Sequence, residues 1–517
     1  MPSIRRSLPR SAFAAFALVL SVAGAPHALA QTDYGFDTSY SSTGYLYDAI
    51  ATYDGTSARF GNRHAQLPDG QIVVAGRVRL DADPVVPYWN IGLARYQRFL
   101  GPVLWNGTTG AYFWQDSYYV LYPNQQNGGT GINRIESIDD IAYAAGKIYV
   151  LVTRLFSTAP EDRDVALVVF NEDGTFHQAI DVIAANVNEY GRAIDVKETE
   201  LIAKPVVVTV LAERQVPGPR MVVAKYNQGS NGFLAADPGF NGGAPLQLPI
   251  TTSCQGTGQC NTTAGDIVRP TRITGGDSMP IYVVGAVQRA GTDWDFLAAK
   301  VLVNGTLDGS FGAGGVRYVP FDDPGSDRGD FAWSATIESG LIGADDMLYI
   351  AGNVPRSCRS GVGFVALTSS GLDGGGFGTN GRVVHGGSIE TGAICAQDSA
   401  HYATQIVKQG GELALAGVAE GVDAGGNSIT DGLLVRVDAG SGALRGLSIF
   451  PATDPHSGGA RFGRTRLWGI SAYGNRQYMV SGEITDVAGG GNAFISALLH
   501  PADRILSDGF ETTYPQQ

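Results

Sequence analysis

Short apolar runs, most of them closing on Gly, return along the whole chain: IVVAG at 72–76, IYVLV at 148–152, VVVTVL at 206–211, IYVVG at 281–285, LYIAG at 348–352, LALAG at 413–417 and YMVSG at 478–482. Their ends are 76, 59, 74, 67, 65 and 65 residues apart. A recurring supersecondary unit cannot bury both of its own faces, so the pattern predicts a stacked repeat architecture, a propeller or a solenoid.

Around each run the order of pieces is constant. A mixed polar and apolar strand comes first, as at 63–67, 191–196, 331–337, 401–407 and 464–470. A turn follows, clearest in Pro68, Asp69 and Gly70, where Pro presets one dihedral and Gly accepts the positive one. The apolar run is the second strand. After a variable loop, a third strand of small and β-branched residues (IGLARY from Ile91, MVVAKY from Met221, GLLVRV from Gly432) suits a position covered on both faces. A Gly-rich turn then opens a looser fourth strand. No long 3.6-residue periodicity competes. The expectation is an all-β, seven-bladed β-propeller of four-stranded antiparallel blades. The last repeat ends soon after its third strand, so residues 32–48 are expected to supply the missing strand and close the ring.

Composition refines this picture. Residues 1–30 read as a secretory signal: Arg5, Arg6 and Arg10 precede an apolar run, and Ala28 and Ala30 form a small-x-small cleavage site. The run is too short to span a bilayer. The expectation is a secreted or periplasmic monomer without a transmembrane anchor, its propeller domain at 31–503. Removing the signal takes the formal net charge from −13 to −16, which disfavours nucleic acid and anionic membranes as partners. Four Cys in an exported chain predict disulfides, with Cys254–Cys260 and Cys358–Cys395 the pairs nearest in sequence.

The segments LVNGTLDGSFGAGGVRYV (302–319) and LTSSGLDGGGFGTNGRVV (367–384) carry a resemblance to the delta-60 repeat of exported bacterial proteins. The resemblance implies a β-propeller and no fixed activity, cofactor or catalytic residue. The tail RILSDGFE (504–511), within the segment 504–517, is similar to a short C-terminal signature of exported proteobacterial proteins. It is read either as a sorting signal for the cell surface or as a frayed terminus.

Strand order places the long second-to-third strand loops and the blade-to-blade connections on one face, the expected binding surface. There an Arg recurs where the chain enters an innermost strand: Arg63, Arg192, Arg328 and Arg464. Four such guanidiniums could ring a channel mouth and hold a carboxylated or phosphorylated group; the plainer reading ties each blade to the next. The aromatic cluster Trp105, Tyr112, Phe113, Trp114, Tyr118 and Tyr119 is either packing or a glycan platform. Asp323, Asp327 and Asp330 offer oxygen ligands for Ca²⁺ but lack the spacing of a calcium loop, and a solvated loop is the alternative. No other cofactor is implied.

Catalytic signatures such as H-E-x-x-H, G-x-S-x-G and a phosphate-binding loop are absent. His64 and His401 are the two His at innermost-strand entries, and they stand as acid/base candidates beside a structural role. The leading expectation is a non-catalytic module that binds an extracellular glycan or protein on its long-loop face. The alternatives are a hydrolase or lyase acting on extracellular polysaccharide, and a structural surface protein.

Overall fold

The computed structural model describes residues 34–36, 45–48, 59–79, 89–97, 101–102, 134–158, 161–183, 187–199, 206–215, 218–251, 259–271, 279–290, 293–321, 329–340, 345–355, 360–385, 400–422, 428–450, 453–454, 460–461, 464–474, 476–485 and 492–501. The apolar runs are second strands, as their patterning requires: Val150, Val208, Val283, Ile350, Leu415 and Val480 are each 0 % exposed. Each pairs antiparallel with a first strand on one side and a third on the other.

Seven successive up-and-down meanders result, here numbered I to VII, at 59–102, 134–183, 189–247, 262–319, 331–385, 400–450 and 464–501. One parallel bridge between Thr430 and Arg464 joins VI and VII, so the described residues form six sheets of four or more strands and a two-stranded ribbon. Meander VII has three strands of its own. Its third strand, Asn492–Pro501, is completed by two pieces from the N-terminal end of the chain: Tyr34–Phe36 pairs with residues 499–501 and Tyr45–Asp48 with residues 494–497.

Apolar clusters lie between consecutive sheets rather than in one central core. Val73, Leu93 and Ile91 of I meet Val150 and Val168 of II, and equivalent clusters join II to III, III to IV, IV to V, V to VI and VI to VII. Sheet-on-sheet burial of this kind contributes roughly 1.5–3 kcal/mol per large apolar side chain. The first strand of each meander touches that of the next, and the first strand of VII touches that of I. At this last junction the buried His64 of I is held between Ser481 (2.9 Å) and Ser471 (2.7 Å) of VII.

A turn with a buried Phe locks neighbouring sheets at the opposite end of the strands. Phe240, Phe311 and Phe377 are buried, and each donates its backbone N–H to the carbonyl of the residue three before it, Asp237, Asp308 or Gly374. The next residue donates its N–H to a hairpin of the following meander: Asn241 to Asn304, Gly312 to Ser370, and Gly378 to Ser441. Two of these turns are the segments that carry the repeat resemblance; the third, DPGF at 237–240, performs the same task in III.

All seven first strands contain a β-bulge at equivalent places. The register slips between Gly61 and His64, Ile138 and Asp140, Gly191 and Ala193, Ala264 and Asp266, Ala332 and Ser334, Ala403 and Gln405, and Leu467 and Gly469. A bulge leaves residues unpaired and turns the strand. The neighbouring meander supplies partners here, since the side chain just past one bulge accepts an N–H from the next first strand: Asp140 from Ile194 (2.8 Å), Asp266 from Ala335 (2.9 Å), Ser334 from Ile406 (3.1 Å) and Gln405 from Ile470 (2.8 Å).

Candidate functional site

The bulged residues converge. Arg63, Asp139, Arg192, Gly265, Trp333, Thr404 and Trp468, one from each first strand, line a single cavity of about 910 Å³. Glu136, Arg77, Tyr402, Glu420, Arg466 and Glu483 complete its charged and aromatic wall. A residue inserted by a bulge need not follow the in–out alternation of its strand. The cavity therefore acquires large side chains without taking them from the apolar layers between sheets.

The guanidiniums are committed. Arg63 meets Asp140 at 3.2 Å, Arg192 meets Glu213 at 3.4 Å, and Arg466 meets Glu483 at 3.0 Å. Glu136 is held by Arg163 at 2.5 Å. Four Arg and four carboxylates among the lining residues make a charge-balanced wall, and paired guanidiniums present oriented N–H donors more than free positive charge.

Asp139 is set differently. Its carboxylate accepts the hydroxyls of Ser137 (2.6 Å) and Thr153 (2.7 Å), and Thr153 in turn accepts the Gly191 N–H at 2.9 Å. A Cβ on Gly191 would stand 2.3 Å from Asp139 Oδ2, so glycine there makes room for the carboxylate. Burial pushes the Asp139 carboxyl up to about 7; the two hydroxyls and Arg192 oppose this, and the neighbouring Asp140 adds to it. A carboxyl poised to gain or lose a proton near neutrality, on the wall of a cavity beside indole rings, is equipped for acid–base chemistry.

The residues singled out from sequence are scattered over this arrangement. Arg63 and Arg192 line the cavity, whereas Arg464 is exposed and bridges to Thr430; the lining guanidinium of that strand is Arg466. His64 is enclosed by its two serines, and burial pushes it down to about 4, so it stays neutral near neutral pH. His401 is 7 % exposed and burial lowers its pKa as well; the cavity is lined by its neighbour Tyr402. Neither His is among the residues that line the cavity. Asp330 is 2 % exposed, and its carboxylate accepts the Phe321 N–H at 2.8 Å, a clasp between backbone segments. Cys260 is buried in a disulfide. Arg328, Asp323, Asp327, Cys254, Cys358, Cys395, the aromatic cluster at 105–119, residues 1–30 and the tail 504–517 lie outside the described residues.

Asp139, Trp333 and Trp468 escape a reading of the repeats because each is the extra residue of a bulge, which shows only once the first strand is paired with the second. No fixed count along the sequence reaches them: Asp139, Arg192, Trp333 and Trp468 lie 13, 20, 19 and 14 residues before Val152, Ala212, Gly352 and Gly482, the second-strand residues at their bulges.

The fold and cavity define a class: an all-β protein of repeated four-stranded antiparallel sheets whose first strands surround one charged and aromatic cavity. No protein-family model matches the sequence, and no curated protein does. Similar solved structures include a protein of unknown function from Dyadobacter fermentans (10 % identity, 88 % of this chain and 98 % of that one, TM-score 0.37). Others are the polysaccharide lyase Uly1 (9 %, 91 % and 97 %, TM-score 0.42) and the α-L-arabinofuranosidase Arb93A of Fusarium graminearum (10 %, 72 % and 98 %, TM-score 0.34). At these scores the likeness says nothing about ligand or activity. Among the described residues no helix is long and apolar enough to cross a membrane.

Proposed function

We propose that this chain is a closed seven-bladed β-propeller that binds an oligosaccharide in its central cavity and cleaves it, with Asp139 as the acid–base group. The reading is carried by one observation: the bulged residues of all seven first strands meet on one cavity, and among them is a carboxyl raised to about 7. Closure is supported by the contact of the first strand of VII with that of I, and by the N-terminal strands that complete VII. The indole faces of Trp333 and Trp468 suit the apolar face of a sugar ring. The paired guanidiniums and carboxylates suit its hydroxyls, and their balance favours a neutral over a polyanionic chain. In this role the protonated Asp139 gives its proton to the glycosidic oxygen as the C–O bond breaks, while a water molecule adds to the anomeric carbon and gives up its proton to a second carboxylate of the wall, so that the products are a hydroxyl and a new reducing end. Secretion, as the residues at 1–30 suggest, would bring the protein to extracellular polysaccharide.

The test is a screen of the purified mature protein against neutral and acidic polysaccharides, reading new reducing ends. The wild type is expected to cleave, with kcat falling as pH rises through about 7 because the acid loses its proton. Asp139→Asn is expected to lower kcat by about 10²–10⁴-fold with binding retained, and Trp468→Ala to raise KM. Binding without turnover would return the protein to the non-catalytic binding module, and full turnover by Asp139→Asn would overturn Asp139 as the acid–base group.

A further inference from the structure

A second carboxylate cluster stands apart from the cavity, between meanders II and III. Asp162 and Asp164 lie near the start of Glu161–Asn171, and Glu189 opens Glu189–Glu198. Two residues apart on a strand, the aspartates share a face, and one oxygen from each of the three acids lies within 4.8 Å of the others. All three are buried, Glu189 completely at 0 % exposure.

Positive charge nearby does not match them. Arg154 is divided between Asp164 (3.1 Å) and Asp181 (2.8 Å), and Arg214 reaches Glu189 Oε1 at 3.1 Å. The other oxygen of Glu189, Oε2, and Oδ1 of Asp162 are buried without a hydrogen-bond partner. A buried carboxylate oxygen left unmet is costly, and two of them on different strands within one cluster call for a shared partner. A hydrogen-bond donor would serve one of them; a cation serves both.

We propose that Asp162, Asp164 and Glu189 form a calcium site that clamps meander II to meander III. Two oxygens held 2.3–2.6 Å from one ion stand at most about 5 Å apart, which accommodates the observed spread. The donor set is all oxygen, the preference of a hard cation, with no imidazole or thiolate to select a transition metal. Carboxylates fixed on two strands give an irregular shell with bidentate capacity, which calcium accepts; magnesium demands a near-ideal octahedron. The strands that carry the clamp also serve the cavity wall. Arg163, between the two aspartates, turns the other way to hold Glu136, and Arg192 follows Glu189 by three residues.

The experiment is calorimetric titration and thermal unfolding of the full mature chain, stripped with chelator and returned to calcium-free buffer, with calcium chloride as the probe and magnesium chloride beside it. One site is expected, and calcium at about 100 times its Kd should raise the unfolding midpoint by about 3 °C. Glu189→Gln and Asp162→Asn, with folding checked by circular dichroism, should each weaken calcium binding at least about tenfold, as loss of an anionic ligand at such a site does. If one variant fails to fold, the other carries the comparison. A folded wild type with neither heat nor shift would overturn the proposal, as would unchanged binding in a folded variant. So would a Glu189→Gln chain more stable than a wild type indifferent to calcium, since Arg154 and Arg214 would then suffice.

Discussion

His64 and Asp139 titrate in opposite senses, and their difference gives the protein a testable pH profile. His64 has its pKa depressed by burial to about 4. The unfolded chain therefore binds more protons, and its contribution to stability is present above about pH 6.5 and lost as pH falls toward 4. The Asp139 carboxyl, raised by burial to about 7, and that of Asp266, raised by burial to about 6, act the other way. Here the folded state binds the proton more tightly, so their contribution is full below about pH 4 and declines as pH rises through the folded values. For His64→Gln, which keeps a polar group between Ser471 and Ser481, the stability deficit relative to wild type should shrink by about 3 kcal/mol between pH ~7 and ~4. Denaturant midpoints across that range measure it. A deficit independent of pH would mean that folding leaves the His64 pKa unshifted.

At the scale of elements, the bulge explains the glycine that closes most of the apolar runs. A Cβ at Gly285, Gly352, Gly417 or Gly482 would come within 2.0, 2.1, 2.1 or 1.9 Å of the carbonyl oxygen of Thr263, Phe331, Tyr402 or Arg466, on the strand that bulges opposite. Gly417→Ala should therefore cost about 3 kcal/mol, through displacement of the strand that carries Tyr402 and Thr404 to the cavity. Gly411→Ala, where nothing lies within 4 Å, should be neutral to within about 0.5 kcal/mol. Equal effects in equilibrium unfolding would remove the steric account. The recurrence of Gly was plain in the sequence, but its cause was not. Period-2 alternation marks which residues form a strand, whereas a bulge is a mismatch between two strands and leaves no mark on either one alone. For the same reason Arg464 stands out in a reading of strand entries while Arg466 lines the cavity.

Across the whole molecule, the pairing of Tyr34–Phe36 and Tyr45–Asp48 with Asn492–Pro501 joins the two ends of the chain. A mature chain lacking residues 31–48 would expose the edge of that last strand, with its unpaired N–H and C=O groups. It should unfold at lower temperature and self-associate, and a peptide of residues 31–48 added in trans should reverse both. Size-exclusion chromatography with light scattering is the readout; a truncated chain that matches the full-length protein in mass and midpoint would show that the closing strands are dispensable.

The sequence by itself determined the all-β class, the order of the repeated strands, the turns between them and the lack of a fourth strand in the last repeat. These are local properties: side-chain period, β-branching and turn chemistry act over a few residues and can be read where they occur. Only the tertiary structure decided which side chains share the cavity, that His64 is sealed between two serines, and that Asp162, Asp164 and Glu189 converge. Those facts depend on the register between strands far apart in the chain and on burial, which sets the protonation of a group by removing water from around it. Asp139 and Asp140 are identical neighbours in sequence; one lines the cavity with its pKa raised to about 7, and the other bonds Arg63 and the backbone of the next meander.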